Sequence, residues 1–375
     1  VATVEAINAN AQATVEFSNT TVQSPLNYVP QVVGMWVGKA LGLDVLGTYR
    51  TSCWANLLAY VLLVMACILM LPRFAMLFAC FSLMPLILVQ ASTQSTDGLN
   101  HAVPMLFLAF MWRLREGGKP VNQRHIAVMM VFSIVLCLLK QSAIVFLPGL
   151  LLARRQQFTT WKHWIGALAA CVAAGLAACL AWNLPYIHVD TAAWFNIPSN
   201  PPAQMNVFLH TPWAFAVAAF HFLADHVYQV WPLSYLHFQH KLLPDTNSWW
   251  PVATAAALIL AWLLAIAEHK KRDVTGSLLL LAIAIANVLL VLFIFWIGYT
   301  PVGFQNVLYV QGRYMTVILF LSMVAISSLA TTWLQRFPRW TSMQPPLTAV
   351  LTGVLMGLNA ACFVSMVLGL TVRLY

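Results

Sequence analysis

Charge is scarce in this chain. Only 8% of its 375 residues are Asp, Glu, Lys or Arg, against 61% hydrophobic. A water-facing domain of this size carries roughly 25% charged residues. The shortage excludes an ordinary soluble fold and leaves lipid as the main solvent. Metal- and redox-type cysteine patterns are also missing. The seven cysteines all lie in apolar runs and none forms a C-x-x-C pair, so they read as small buried hydrophobes. There is no Walker loop, Rossmann fingerprint, G-x-S-x-G elbow, kinase motif or H-E-x-x-H pair. Low-complexity tracts and internal repeats are absent as well.

What the chain has is long apolar runs. Ten can be drawn: Thr51–Leu71, Phe74–Ala91, Ala102–Leu114, His125–Leu139, Ser142–Ala153, Trp164–Leu184, Pro251–Ala267, Gly276–Tyr299, Arg313–Trp333 and Leu347–Leu370. A helix needs about 20 residues to cross hydrocarbon. Ala102–Leu114, His125–Leu139 and Ser142–Ala153 fall short of that. The pattern predicts an all-α, polytopic transmembrane bundle of about ten segments. Residues 1–50 form an outer-face N-terminal segment, and residues 51–375 the transmembrane domain, with an outer-face loop region at 185–250.

The net charge of +9 does not point to nucleic acid, because the cations sit in short clusters between apolar runs. With residues 1–50 outside, 13 of the 19 basic residues fall on the inner face, including every cluster, as cytoplasmic loops require. Joining His125–Ala153 into one span would turn each later cluster outward. The segment is therefore expected to cross twice, broken around Lys140-Gln141. Such a break must be buried in protein or line a cavity.

The acids show the opposite bias. Seven of ten lie outside, as do seven of ten histidines. Asp97, in Ser95-Thr96-Asp97-Gly98, reads either as a helix N-cap or as a carboxylate at the mouth of an outer cavity. Lys140 interrupts an apolar stretch, which marks either a functional cation or a snorkelling one. Arg313, beside Tyr314 at the outer entrance of a span, is an interfacial anchor or a phosphate-binding fork. Arg50 is a weaker candidate of that kind. His221 and Asp225 share a helix face, with His226, His237 and His240 beyond. Their spacing fits polar tips on an interfacial segment better than a metal site. A helix over Gln31–Leu43, with Gly34, Gly38 and Gly42, is expected either in the interface or packed tightly on a neighbour.

Several of these segments resemble a bacterial family of predicted membrane proteins, domain of unknown function 2142. The resemblance rests on Ser24–Gln31 with the Gly34/Gly38 helix, Arg50 through Asn56-Leu57-Leu58, Ser95-Thr96-Asp97-Gly98, Lys140-Gln141 and Gln311-Gly312-Arg313-Tyr314. That family is thought to be related to membrane glycosyltransferases of the GT-C fold. The resemblance implies a multi-pass protein of the bacterial cytoplasmic membrane. It implies a polyprenyl-phosphate-linked sugar donor, a glycan or lipid acceptor and transfer with inversion. In that reading Asp97 is the catalytic residue, and Lys140, Gln141, Arg313, Tyr314, Arg50 and Tyr28 bind substrate. No cofactor is assigned, and a divalent metal is left open. The family's acidic pair is expected upstream of Ser24, after a first span, and Glu5 and Glu16 do not match it. A transporter or lipid flippase, and a non-catalytic partner in envelope assembly, are the alternatives.

Overall fold

The computed structural model describes residues 22–186, 199–230, 249–268 and 273–334, with residues 350 and 354. Among the described residues every regular element is helical. In chain order these are α1 (Val29–Ala40), α2 (Val45–Met70), α3 (Ala75–Ser82), α4 (Pro85–Ala91), α5 (Asp97–Gly117), α6 (Gln123–Leu139), α7 (Trp161–Asn183), α8 (Pro201–His210), α9 (Trp213–Val230), α10 (Trp249–Glu268), α11 (Val274–Tyr299) and α12 (Thr316–Leu334). Short 3₁₀ turns join several of them, and one long 3₁₀ segment covers Gln141–Leu152.

Among the described residues four helical segments are long and apolar enough to cross a membrane: Val45–Met70, Trp161–Tyr186, Val274–Tyr299 and Arg313–Thr331. The expected runs do not all survive as single helices. Phe74–Ala91 breaks into α3 and α4, because Pro85 has no N–H to continue a helix and is placed well at the start of the next. In the expected outer loop, α8 and α9 form a pair bent by 108° that passes the same length and hydropathy test together, as a broken span or re-entrant loop. Pro212 lies at that bend. The run Leu347–Leu370, apart from residues 350 and 354, and Asp190, His237, His240, Glu5 and Glu16 lie outside the described residues.

The described residues divide into two compact units. One takes in the residues up to Ala66, Ile87–Gln204 and Ile297–Val302; the other takes in Cys67–Leu86, Met205–Trp296 and Gly303 onward. In the first, α1 lies tightly on α2. A Cβ added to Gly34 would come within 2.7 Å of Ser52 Cα, and one on Gly38 within 2.8 Å of Thr48 Cα. Small residues allow that approach. Gly42 ends the helix region with φ +66°. The opposite face of α1 leaves Val33, Trp36 and Val37 exposed.

The segment from α6 through Leu152 is a hairpin. Helix α6 stops at Lys140, whose backbone is extended (φ −154°, ψ 135°). The 3₁₀ limb then runs back. At its far end the Val121 N–H, just before α6, donates to the Gln157 carbonyl at 2.8 Å. Two segment ends that bond to each other cannot belong to one straight crossing. The chain thus folds back at the break expected around Lys140-Gln141. At the foot, Gln157 Nε2 donates to the carbonyls of Leu114 (2.8 Å) and Lys119 (3.1 Å), and Arg115 Nη1 to that of Leu152 (3.2 Å). These bonds satisfy carbonyls at the end of α5 and of the 3₁₀ limb. Gly175 of α7 lets α6 approach, since a Cβ there would lie 2.9 Å from Ser133 O.

In the second unit, Phe78 and Phe81 of α3 pack on Phe320 of α12, with centroids 4.6 and 5.3 Å apart. Helix α10 is pinned to α12 by Trp262 Nε1 donating to Met323 O (2.9 Å) and Thr331 Oγ1 donating to Ile266 O (2.8 Å). Phe208, Phe215, Phe293 and Trp296 form an aromatic cluster between the bent pair and α11.

Candidate functional site

Four sequence motifs meet in the first unit. The Ser24–Gln31 segment crosses to the hairpin through Asn27, whose Nδ2 donates to Leu139 O at 2.8 Å and to Ser24 O at 3.2 Å. It crosses to the loop before α5 through Gln31, whose Nε2 donates to Ser95 O at 3.3 Å. Asn56 of α2 reaches the same loop, donating to Thr93 O (2.8 Å) and Ser95 O (3.0 Å). Gln94 Nε2 returns a bond to Ser52 Oγ at 3.2 Å. The physical logic is shared. Each loop in apolar surroundings has backbone carbonyls to satisfy, and a carboxamide on a neighbouring helix supplies the donor.

Asp97 sits at the head of this clasp. Thr96, not Asp97, is the N-cap of α5, which leaves Asp97 in the first turn, where the helix dipole favours a negative charge. Asp97 is buried at 9% exposure, and its N–H donates to Ser95 Oγ at 3.2 Å. Tyr28, half-buried, lies close enough to sense it. Burial first, and then the negative charge of Asp97, push the Tyr28 phenol above its ordinary pKa. Lys140 is half-buried at the hairpin turn. Gln141 is exposed, and its amide donates to Asn183 Oδ1 at the end of α7. Asn183 in turn donates to Cys179 O at 2.8 Å. Trp182, on the same turn of α7, donates to Val22 O at 2.9 Å. Arg50 is exposed on the second turn of α2.

Arg313 and Tyr314 belong to the second unit. Both are half-buried. The Arg313 guanidinium lies 5.1 Å from the Tyr314 ring centroid, and its Nη2 donates to Tyr314 Oη at 3.2 Å. Tyr314 also packs on Phe295 of α11 at 5.1 Å. In the same unit His221 Nδ1 donates to Gln305 O at 2.7 Å, and Asn306 Nδ2 donates to Asp225 Oδ2 at 3.2 Å. His221 and Asp225 thus tie α9 to the segment before Arg313. Among the described residues no three His, Cys, Asp or Glu side chains gather as a metal site.

The structure therefore brings Tyr28 beside Asp97, with Lys140 and Gln141 in the same unit. Sequence reasoning gave no role to Asn27, Gln31, Asn56 or Asn183. Asn27, Gln31 and Asn56 stood inside the motif segments without a role, and Asn183 showed only as a carboxamide beside an apolar stretch.

The family described as predicted membrane protein (DUF2142) matches residues 3–322. The chain belongs to this family. No curated protein and no solved structure matches it. The family match takes in all five motifs, from Ser24 to Tyr314. The family's description reaches as far as the membrane and says nothing of chemistry.

Proposed function

We propose that this family member is a polyprenyl-phosphate-sugar-dependent glycosyltransferase with a GT-C-like bundle of about ten membrane segments. It works at the outer face of the bacterial cytoplasmic membrane, in envelope polysaccharide or glycolipid assembly. The observation that carries the reading is the buried Asp97 carboxylate, held at a helix N-terminus beside Tyr28 in a clasp built from the family motifs. A carboxylate so placed suits one proton transfer.

The chemistry needs few residues. An acceptor hydroxyl attacks the anomeric carbon while its proton passes to Asp97. The bond from that carbon to the phosphate oxygen breaks, and polyprenyl phosphate departs with the electron pair. A single displacement inverts the anomeric centre. Orientation of donor and acceptor supplies much of the rate. Cations that neutralise the phosphate supply more, and Lys140, in the same unit as Asp97, is suited to that part; Arg313, in the other unit, has by itself the guanidinium fork that a lipid phosphate takes.

The test is transfer from a radiolabelled polyprenyl-phosphate sugar by the purified chain in nanodiscs. Asp97→Asn should abolish turnover while leaving donor binding in place. Transfer that survives in Asp97→Asn at the wild-type rate would remove Asp97 from the reaction.

One observation favours a second reading. The bent pair α8–α9 is of the kind that broken transporter helices show, and a lipid flippase would use it. A labelled polyprenyl-phosphate lipid that changes leaflet in vesicles without any transfer would support that reading instead.

A further inference from the structure

Arg50 is the one charged residue of α2. After it Thr51–Met70 carry no charge and rise about 30 Å, the thickness of a bilayer's hydrocarbon. Arg50 also heads a stripe. It is exposed, and so are Trp54 (69%), Leu58, Leu62 and Met65, three or four residues apart on one face of the helix. Such an apolar stripe on a helix fit to cross a membrane lies against lipid. Trp54 is the aromatic that headgroup level favours. A cation one turn beyond it stands among phosphates, with its stem along the stripe.

Helix α1 lies beside this end of α2. Its Gly34 fits against Thr51, Ser52 and Ala55, and its Gly38 against Thr48 and Thr51. Later residues of α1 meet earlier residues of α2, so the two helices run antiparallel. From the turn after Ala40, α1 thus extends back along α2 into the same leaflet. Ala55 lies five residues past Arg50, about 7.5 Å deeper. The face of α1 turned away from its glycines carries Val29, Val33, Trp36 and Val37, all exposed, Trp36 at 68%. Interfacial helices bury such a face about 5–10 Å into the boundary of headgroups and acyl chains, the same depth. The hairpin's other charges are Lys39, exposed in the last turn of α1, and Asp44, whose carboxylate accepts the Gly47 N–H at 2.7 Å. Two cations against one acid suit an anionic headgroup.

We propose that the α1–α2 hairpin is a lipid anchor. The Val29–Val37 face of α1 and the Trp54–Met65 stripe of α2 sit among the acyl chains of one leaflet, and Arg50 holds the phosphate of an anionic phospholipid. Arg50 then serves the surrounding bilayer and not a sugar donor. The inference rests on the membrane assignment of the family and not on the transfer reading.

The test is photo-crosslinking of the full chain in phosphatidylcholine nanodiscs. Each preparation holds an equal trace of radiolabelled phosphatidylglycerol or radiolabelled phosphatidylcholine. With p-benzoylphenylalanine in place of Trp36, both lipids should become attached to the protein. With the photoprobe in place of Trp54, phosphatidylglycerol should be captured about fivefold more than phosphatidylcholine, the worth of one cation near an anionic headgroup. Arg50→Ala should bring that ratio to one. Arg50→Lys should keep most of it, and Arg124→Ala, an exposed cation on α6, all of it. The absence of any lipid adduct at position 36 would overturn the placing of α1 in the leaflet. Equal capture of the two lipids at position 54, or a ratio unmoved in Arg50→Ala, would overturn the role of Arg50.

Discussion

Asn27 donates its side-chain amide to the carbonyl of Leu139, 112 positions away, at 2.8 Å. That bond ties the N-terminal motif to the turn of the hairpin, one residue before Lys140. Leu139 is the last residue of α6, where carbonyls have no helical partner.

Asn27→Ala should therefore destabilise the protein. It removes the side-chain donor from Leu139 O in a buried setting, while Ser24 O keeps the backbone N–H of residue 27 at 3.1 Å. The expected loss is about 1–3 kcal/mol. Thermal unfolding in detergent reads it, with Gln141→Ala as the comparison. Gln141 is exposed, so its loss should cost far less.

Tyr28 should titrate above the ordinary tyrosine value of about 10. Its raised pKa means that the folded state holds the phenolic proton more tightly than the unfolded state does. The resulting stability is fully present below about pH 10 and is lost as pH rises through the folded value. Asp97→Asn removes the second of the two causes, so the Tyr28 pKa should drop part of the way and stay elevated by burial. Tyrosine-labelled NMR, assigned with Tyr28→Phe, measures both values. A Tyr28 pKa that is unmoved in Asp97→Asn would separate the two residues.

Glycine substitutions should divide by location. Gly38→Leu forces side-chain atoms into Thr48 and Thr51 of α2 and should cost about 1–3 kcal/mol or more. Gly175→Val should act alike against Ser133 and Cys137. Gly166, with nothing within 4 Å of an added Cβ, sits on the same helix as Gly175. Gly166→Ala should be neutral or stabilising by up to about 1 kcal/mol. Unfolding midpoints of the three variants in one detergent decide this.

Arg313→Ala should weaken binding of a polyprenyl phosphate by about tenfold to a hundredfold, the worth of a charge-assisted bond. Arg124→Ala, at the exposed start of α6, should leave it unchanged. A lipid pull-down or a quenching titration with the lipid phosphate reads both. Equal affinities would reduce Arg313 to an anchor held by Tyr314.

The break of the hairpin was legible in the sequence because a lysine inside an apolar run is costly. The 3₁₀ character of its return limb was not. An apolar run looks alike to a three-residue and a four-residue hydrogen-bond ladder. The break at Pro85 was written in the chain, yet the hydropathy on both sides is high enough to hide it. The motif segments could be seen as motifs, but not as a clasp. Asn27 and Asn56 satisfy backbone carbonyls, and a carbonyl leaves no mark on sequence. Asp97 showed the reverse. Its residue type announced a helix start, and the structure gives that cap position to Thr96.

The 3₁₀ limb makes this region a ruler. Twelve residues at about 2.0 Å each reach about 24 Å, whereas an α-helix of the same twelve would reach about 18 Å. The neighbouring α6, seventeen residues long, reaches about 26 Å. Both limbs are thus cut to nearly one length, and a shorter return limb would draw Lys140 inward. Deleting one turn from either limb would leave the two mismatched, so the Val121–Gln157 bond that closes the hairpin depends on both lengths at once.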